Sequence, residues 1–364
     1  MKDRINTQNK HRFNFLLTLL FIGLFSILSS CDSTGLYLDG KKETTNHSAQ
    51  VFYLPTGTDL AQLVEMLEKE GLISNDKQSL INVGEYKKLD EKRIAPGKYV
   101  IQPSTDFKTL LNGFTKNSLG NGNFEVEVNV TFNNCRDIPQ LAGKVAKHIE
   151  ADSAALVNYI LDASTVKKYG FNKHTIPALF LPDTYRMYWD TDAETFVSKM
   201  ASEFKKFWNE ERSAKLSQVG LKSQSEAVTV ASIVYKEQDK HAEEWPIISG
   251  LYLNRLKKGW KLESDPTFRF CWGDELKDVK RLLNVHRKID CPYNTYLYAG
   301  LPPGPICIPA AKVIDAVLNP TPHNYVFMCA KPDGNGLHNF ATTLAQHNRN
   351  AAKYHRWLTE NKVK

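Results

Sequence analysis

Residues 225–239 read Ser-Glu-Ala-Val-Thr-Val-Ala-Ser-Ile-Val-Tyr-Lys-Glu-Gln-Asp, and the largest domain is expected to fold around them. Apolar side chains fall on all sides of this stretch, which predicts a helix buried inside a domain. Ser225 is suited to cap the start of that helix. Near its end, Glu237 shares an apolar face with Ile233 and Val230.

Glu237 is the first candidate for chemistry. Burial raises the pKa of a carboxyl group because the charged form loses hydration, and the partial negative charge of a helix C-terminus acts in the same direction. Both effects favour a carboxylic acid that is still protonated near neutral pH, as a general acid requires. Lys236 points about 100° away around the helix and need not pair with it. Taken alone, these residues also fit a helix-end glutamate that points into solvent.

The N-terminus carries a targeting signal. A basic segment, residues 1–12, precedes an uncharged apolar run, which predicts a cytoplasmic tail followed by a membrane anchor or lipoprotein signal over residues 13–31. Leu28-Ser29-Ser30-Cys31 resembles the lipobox of bacterial lipoproteins, which makes Cys31 a candidate lipidation site. A retained transmembrane helix and a lipid anchor both remain open. Either one places the rest of the chain on the outer side of the cytoplasmic membrane.

Composition narrows the function classes. The chain has 364 residues, 42% of them hydrophobic and 24% charged, so a packed core is expected rather than disorder. Its net charge is +7, but the basic residues are scattered, and no arginine-rich arm points to nucleic acid. No Cys-x-x-Cys pair occurs among the six cysteines, which excludes a zinc ribbon or thioredoxin-like motif. One or two disulfides of unknown pairing are compatible with the expected compartment. No metal or cofactor is implied.

The fold class we expect is α+β, in two folded parts. Residues 32–50 are polar and read as a linker. Residues 51–118 show a strand, two helices and a second strand, a pattern that resembles a LysM-like module, and a further helix is expected over 105–115. Residues 119–364 form the larger mixed α+β domain. Its expected elements are a strand at 126–132, helices at 138–149, 152–163, 193–216, 225–239 and 244–258, turn-rich chain from 259 to 309, a helix at 310–318, a strand at 324–330 and a helix at 341–360.

Several blocks of sequence resemble one known family. Ala231–Glu237 is similar to the ASI(V/I)EKE segment of the endolytic murein (peptidoglycan) transglycosylase family, MltG/YceG-like. The resemblance covers roughly residues 50–360, and that family also carries one N-terminal membrane segment. The further blocks, in order, are Leu181–Tyr185, Leu253–Leu256, Leu262–Thr267, Tyr293–Tyr296, Gly300–Ile306 and His338–Phe340.

The resemblance implies a catalytic residue and two departures. The second Glu of the EKE motif, the catalytic one in that family, falls on Glu237. Tyr235 replaces the first Glu, so any supporting role of that carboxylate is absent. Pro177-Ala178 stand where the family often has Glu-Gly before the Leu181 block. Neither departure removes Glu237, but the family's substrate contacts do not carry over at these positions.

The implied activity is endolytic cleavage of the bond between N-acetylmuramic acid (MurNAc) and N-acetylglucosamine (GlcNAc) within nascent peptidoglycan strands. The product would carry a 1,6-anhydro-MurNAc end, and the cut would terminate glycan elongation. The expected partners are glycan strands, the membrane and peptidoglycan synthases. The alternative is a non-catalytic glycan-binding scaffold of the wall-synthesis machinery, which Tyr235 favours and Glu237 disfavours.

Polar residues in the similar blocks are candidates for substrate binding, since amides, hydroxyls and imidazoles suit sugar hydroxyls and acetamido groups. Each is as well suited to buried structural hydrogen bonding. Asp265 could be a second carboxylate or a helix-start residue. A cysteine-hydrolase pair of Cys271 or Cys291 with His338 is disfavoured because neither cysteine has a local nucleophile signature. The candidates are Asn254, Asp265, Tyr293, Asn294, Thr295, His338 and Asn339.

Overall fold

The computed structural model describes residues 34–276, 279 and 282–361. The predicted cytoplasmic tail, the predicted anchor over 13–31 and Cys31 lie outside these residues. Within the described part of the chain, no helix has both the length and the apolarity needed to cross a membrane. The chain divides into two compact units, of which the first runs to Val128 and also takes in Tyr188–Asp190. The first unit thus extends past residue 118, where the sequence placed its end.

The first unit has the strand, helix, helix, strand order that the sequence predicted. Its two strands pair antiparallel, with Gln50 opposite Ile101. Residues 34–41, which fall in the expected linker, are helical. The likeness to a LysM module stays a prediction. The elements are β1 (Gln50–Leu54), α1 (Leu60–Lys69), α2 (Lys77–Tyr86), β2 (Gly97–Ile101) and α3 (Phe107–Gly113).

A capping box starts α1. The Asp59 carboxylate accepts from the Gln62 N–H at 2.8 Å, and the Gln62 side chain accepts from the Asp59 N–H at 3.0 Å. These bonds satisfy two backbone donors that the first turn of a helix leaves free. The helix then buries Leu63, Val64 and Leu67 in the core of this unit.

The second unit is mixed α+β, as expected, with helices in the majority. Two of its strand pairs, β3 with β4 and β5 with β6, form separate two-stranded sheets. Its elements are β3 (Val128–Phe132), α4 (Ile138–Val145), α5 (Ser153–Leu161), α6 (Ala163–Lys168), β4 (Asp183–Met187), α7 (Ala193–Phe207), α8 (Glu210–Gln218), α9 (Gln224–Glu237), α10 (Trp245–Lys257), α11 (Asp265–Trp272), α12 (Ala311–Leu318), β5 (Phe327–Ala330), β6 (His338–Ala341) and α13 (Leu344–Glu360).

Helix α9 is the centre of the second unit. All residues from Ala227 to Val234 are buried, and α8, α10, α11 and α12 pack around the helix. Burying one Val or Ile side chain stabilises a fold by about 1.5–3 kcal/mol, so this helix contributes strongly to the core. The prediction that Ser225 caps it is wrong by two residues: Ser223 Oγ accepts from the Glu226 N–H at 3.2 Å.

Two other element predictions need correction. The helix expected over 193–216 is two helices, because the chain bends at Trp208 and Asn209 Oδ1 accepts from the Arg212 N–H to start α8. The chain expected to be turn-rich from 259 to 309 contains α11, which begins at the Asp265-Pro266 helix-start signal. Strands β4 and β6 were not predicted, since each is short and lacks a clear alternation of apolar residues.

Candidate active site

Glu237 is the last residue of α9. Gln238 follows it in an extended conformation, with φ −143° and ψ 98°, and donates its backbone N–H to Val234 O at 3.0 Å. Glu237 as a whole is partly exposed, whereas all residues from Ala227 to Val234 in the same helix are buried. The helix is therefore buried along most of its length and carries the carboxyl group of Glu237 at its partly exposed end.

Two buried hydroxyl groups hold the carboxyl group of Glu237. Tyr252 Oη, from α10, donates to Oε1 at 2.6 Å, and Ser264 Oγ, just before α11, donates to the same oxygen at 2.5 Å. Tyr252 is 2% exposed and Ser264 1% exposed. Among the residues that the structure describes, no donor reaches Oε2. The described residues thus fix one oxygen of the carboxyl group and leave the other without a protein donor.

The pKa of Glu237 is raised, and burial is the main cause. The hydrogen bonds from Ser264 and Tyr252 act in the opposite direction, because they favour the anion. The negative charge of Asp265 raises the pKa further, and His338 lowers it. Burial and the nearby Glu237 raise the pKa of Tyr252 well above its ordinary value, so its hydroxyl remains a donor.

Ser264 is itself held by two buried threonines. Its N–H donates to Thr295 Oγ1 at 3.1 Å, and its carbonyl accepts from Thr267 Oγ1 at 2.6 Å. The two threonine hydroxyls are 2.9 Å apart. Thr295, a candidate for substrate binding, is 2% exposed and therefore serves to position Ser264.

Asp265 lies beside this group, at the first position of α11. Its Oδ1 accepts from Tyr296 Oη at 2.5 Å and lies 3.2 Å from Arg287 Nη2. Burial, and then the Asp265 charge, raise the pKa of Tyr296 above its ordinary range, so that hydroxyl also remains a donor. The carboxylate is one-third exposed and close enough to Glu237 to affect its pKa.

The two candidate asparagines have structural hydrogen bonds. Asn294 is fully buried, and its amide nitrogen donates to Arg287 O and Ile289 O at 2.9 and 2.8 Å. The amide nitrogen of Asn254 donates to His323 O at 2.9 Å and Tyr325 O at 3.1 Å. Both side chains hold loops in place. They therefore make structural hydrogen bonds, the alternative to substrate binding that their residue type allowed.

The remaining candidates lie in different places. Tyr293 is partly exposed, and its hydroxyl is 3.3 Å from His174 Nδ1. His338 begins β6, and its Nδ1 lies 2.7 Å from Glu244 Oε2. Asn339 follows it, opposite Cys329 in the β5–β6 ladder.

Glu244 was not predicted from the sequence as a site residue. It is 5% exposed, and its carboxylate accepts from the His338 N–H at 2.8 Å and from the Gln238 amide at 2.9 Å. Gln238 directly follows Glu237, so this network ties the end of α9 to β6. In the sequence, Glu244 is marked only by its position seven residues after Glu237. Within the part of the chain described, no three His, Cys, Asp or Glu side chains are grouped so as to hold a metal ion.

A disulfide joins Cys271, in α11, to Cys291, with Cα atoms 6.2 Å apart. This distance is ordinary for a protein disulfide. The bond links the helix that begins at Asp265 to the segment that carries Thr295. It also leaves neither sulfur as a thiol, which rules out the cysteine-hydrolase pair with His338.

The second unit contains a pocket of about 510 Å³. Its lining includes Lys236 and Pro266, which are the chain neighbours of Glu237 and Asp265. The Tyr235 hydroxyl, at the position where the similar family has a glutamate, donates to Asn134 Oδ1 in the same lining. The lining residues are Asn134, Arg136, Gln140, Lys236, Pro266, Arg269, Phe270, Gly273, Asp274 and Ile306.

Comparison with known proteins adds an independent observation. Residues 52–353 match the model of the YceG-like family. The endolytic murein transglycosylase of Bacillus subtilis (strain 168) is 27% identical over 341 residues, covering 88% of this chain and 90% of that protein. The endolytic murein transglycosylase of Streptococcus pneumoniae serotype 2 (strain D39) is 24% identical over 328 residues, covering 83% of this chain but only 57% of that protein. A crystal structure of a protein described as yceG-like, from Listeria monocytogenes, superposes with a TM-score of 0.51 at 21% identity, covering 84% of this chain and 99% of that one. This last likeness concerns the fold alone.

Proposed function

Because the chain belongs to the YceG-like family, we propose that it is an endolytic murein transglycosylase with Glu237 as its catalytic acid and base. The observation that carries the proposal is the state of that carboxyl group. Its pKa is raised by burial, two buried hydroxyls hold Oε1, and Oε2 is left for a ligand. A carboxylic acid in this state can donate a proton near neutral pH. The names of the relatives in Bacillus and Streptococcus agree with this activity.

The proposed reaction uses one carboxyl group twice. Glu237 first gives its proton to the glycosidic oxygen between MurNAc and GlcNAc, and the bond from that oxygen to C1 of MurNAc breaks. The resulting carboxylate then takes the proton of the MurNAc 6-hydroxyl, and O6 bonds to C1. Glu237 regains its proton, the strand ends in 1,6-anhydro-MurNAc, and no water is consumed.

Ser264 and Tyr252 support both halves of this cycle. Each donates to the same carboxylate oxygen, and a hydrogen bond to a charged group is stronger than one between neutral groups. The two hydroxyls therefore stabilise the anion that exists between the two proton transfers. They also limit how far burial raises the pKa of Glu237, so that the proton is still transferable.

Asp265 is assigned a positioning role in this proposal. Ordinary glycosidases use a second carboxylate as base or nucleophile. Here Tyr296 and Arg287 bind the Asp265 carboxylate, which fixes its position. The reaction described above requires only one titrating carboxyl group.

The place of action belongs to the same proposal. A tail over residues 1–12 and an anchor over 13–31, as helix or as lipid on Cys31, would hold the enzyme at the outer face of the cytoplasmic membrane. The Cys271–Cys291 disulfide supports this, since disulfides persist in oxidising compartments and are rare in the cytoplasm. An anchored enzyme reaches newly made strands near their synthases. Cutting within such strands would end their elongation.

The test is a product analysis in labelled water. The full-length chain, purified in detergent, is incubated with uncrosslinked glycan strands in H₂¹⁸O, and the products are identified by mass spectrometry. We expect 1,6-anhydro-MurNAc ends without ¹⁸O, whereas reducing MurNAc ends that carry ¹⁸O would identify a hydrolase instead. Strands that are bound but not cut would favour the scaffold alternative.

Glu237→Gln is the matched variant for this test. It keeps the size and hydrogen-bonding capacity of the side chain but removes the transferable proton. General acid–base catalysis is worth roughly 10²–10⁴-fold, so cleavage should fall by at least that range while strand binding persists. Circular dichroism checks that the variant is folded. Near-normal cleavage by this variant would show that another residue is the acid.

A further inference from the structure

We propose that the 510 Å³ pocket lined by Lys236 and Pro266 is a subsite for the carboxylates of the peptide stem attached to MurNAc. This inference rests on the proposed function and adds a substrate group to it. The pocket volume lies within the roughly 300–1,000 Å³ typical of small-ligand sites. Its place is set by Lys236, which directly precedes Glu237, and by Pro266, which directly follows Asp265. In this proposal, a strand held with one glycosidic bond at Glu237 places a neighbouring substituent in the pocket.

Positive charge predominates among the described residues that line the pocket. Among the described residues, the cationic side chains that line it are Arg136, Lys236 and Arg269, and the carboxylate that lines it is Asp274. The glycan backbone itself is neutral, because the lactyl carboxyl of MurNAc is used in the amide bond to the stem. A neutral sugar needs hydrogen-bond donors but does not need positive charge. The stem, in contrast, carries free carboxylates, which lysine and arginine bind through charge-assisted hydrogen bonds.

The three cations differ in how firmly they are held. Arg269 Nη2 donates to Leu276 O at 2.9 Å and to Val279 O at 3.3 Å, so the backbone fixes its guanidinium. Lys236 is exposed and makes no ion pair with any residue in the described part of the chain. Its ammonium lies 5.8 Å from the centre of the Tyr235 ring. Arg269 thus supplies a preorganised charge, and Lys236 supplies a charge that a ligand can take without displacing an acidic partner.

Arg136 is the third cation of the lining. Its Nε donates to Asp137 at 2.9 Å and its Nη1 to Asp274 at 2.5 Å. The Asp274 side chain is 76% exposed, and pairs of this kind contribute little to stability. A stem carboxylate can therefore take the place of Asp274 at small cost.

The neutral part of the lining suits a peptide. Asn134 uses Oδ1 to accept the Tyr235 hydroxyl, which leaves its amide nitrogen as a donor for a peptide carbonyl. The Phe270 ring packs against the Tyr293 ring, with centroids 4.7 Å apart, and provides an apolar wall for small side chains such as alanine. Tyr293, which the sequence made a candidate for substrate contact, would then support this subsite indirectly.

Binding and cleavage are measured separately. Two strand preparations are used, one with free stem carboxylates and one in which they are converted to methylamides, which removes charge and changes size little. Affinities are measured in the Glu237→Gln background, where no strand is cut. We expect methylamidation to weaken binding roughly five- to tenfold, the effect of one or two partly exposed ion pairs. Lys236→Gln and Arg269→Gln, each added to that background, should show a smaller difference in affinity between the two preparations.

Lys240→Gln is the matched control, since it removes one exposed positive charge three positions after Glu237 but outside the pocket lining. It should keep the full preference for free carboxylates. Equal binding of both preparations by the Glu237→Gln protein, or an equal loss for both caused by Lys236→Gln and Arg269→Gln, would overturn the inference. If the affinity difference holds but the wild type cuts neither preparation, the proposed catalytic function fails while the subsite stands.

Discussion

Ser264 Oγ lies 2.5 Å from Oε1 of Glu237, although the two residues are 27 positions apart in the chain. Ser264 immediately precedes α11, and Glu237 ends α9, so this one bond joins two helix termini at the candidate acid. The serine is almost fully buried and is held by Thr267 and Thr295. Its hydroxyl is therefore a fixed donor, and its removal should change the titration of the carboxyl group.

Ser264→Ala should move the basic limb of the kcat/KM profile to higher pH. The hydrogen bond lowers the pKa of Glu237, so its loss raises that pKa further and keeps the acid protonated at higher pH. The maximal rate should fall roughly tenfold or more, since a hydrogen bond to a charged group is worth about 1.5–3 kcal/mol. Strand cleavage measured from about pH 4 to 10 tests both effects.

The control for that profile is Ser249→Ala. Ser249 Oγ is buried in α10 and has no hydrogen-bond partner among the described residues. Its removal should leave the pH profile unchanged. A basic limb that stays in place in Ser264→Ala would mean that the serine does not influence the acid.

Asp265→Asn should move the basic limb of the kcat/KM profile to lower pH. The negative charge of Asp265 raises the pKa of Glu237, so a neutral amide lowers it. The effect on the maximal rate should be modest, because the asparagine oxygen can still accept from Tyr296. The measurement is the pH dependence of kcat/KM beside the wild type. Complete loss of cleavage in Asp265→Asn, together with retained cleavage in Glu237→Gln, would reverse the assignment of the acid.

The free energy of unfolding should depend on pH through Glu237. Its pKa is raised in the folded state, so its stabilising contribution is complete below the unfolded pKa of about 4.3 and is lost as pH rises through the folded pKa. Glu237→Gln does not titrate and should gain stability relative to the wild type as pH increases. Urea unfolding at several pH values measures the difference.

Glu194→Gln provides a control of opposite sign. The Lys168 ammonium, 3.0 Å from Glu194, lowers the pKa of that carboxylate, so its contribution is present at neutral pH and is lost as pH falls. Both groups are exposed, and the effect should be small. Parallel stability curves for the wild type and Glu237→Gln would show that the Glu237 carboxyl titrates normally.

Removal of the disulfide should lower both stability and activity. A bridge that closes a loop of about 20 residues stabilises by roughly 3 kcal/mol in the chain-entropy account. Replacing Cys271 and Cys291 together by serine should lower the unfolding free energy by about that amount. It should also slow cleavage, because the bridge holds the segment that carries Thr295. Cys329→Ser, at a partly exposed free cysteine, should change neither quantity, and a reductant should reproduce the double variant in the wild type.

The sequence predicted helix α9 well because its pattern is unusual. A run of apolar residues on all sides, ending in a glutamate, has few structural solutions, and the helix lies within two residues of the expected bounds. The helices of the first unit were also predictable, since caps such as Asp59 mark where they start. Between α7 and α8 the chain changes direction without a glycine or proline. The helical spacing of apolar residues continues across this bend, so the sequence predicted one helix where there are two.

The partners of Glu237 could not be predicted in the same way. Ser264 and Tyr252 are polar groups in the core, and their role depends on contacts between distant parts of the chain. Residue type alone also does not separate a sugar-binding amide from a structural one. Asn294 has the chemistry of a ligand contact, yet two backbone carbonyls occupy its amide nitrogen.

Helix α9 combines a continuous run of buried residues, Ala227–Val234, with the residue proposed to do the chemistry. In a random-mutagenesis screen for loss of wall cleavage, inactive clones should therefore accumulate along Ala227–Val234 as well as at Glu237. Clones of the first kind should show low protein levels and recover at lower temperature, because their lesion is in folding. Clones at Glu237 should accumulate normally at every temperature. A genetic map of the gene would thus show one continuous sensitive segment with two separable causes.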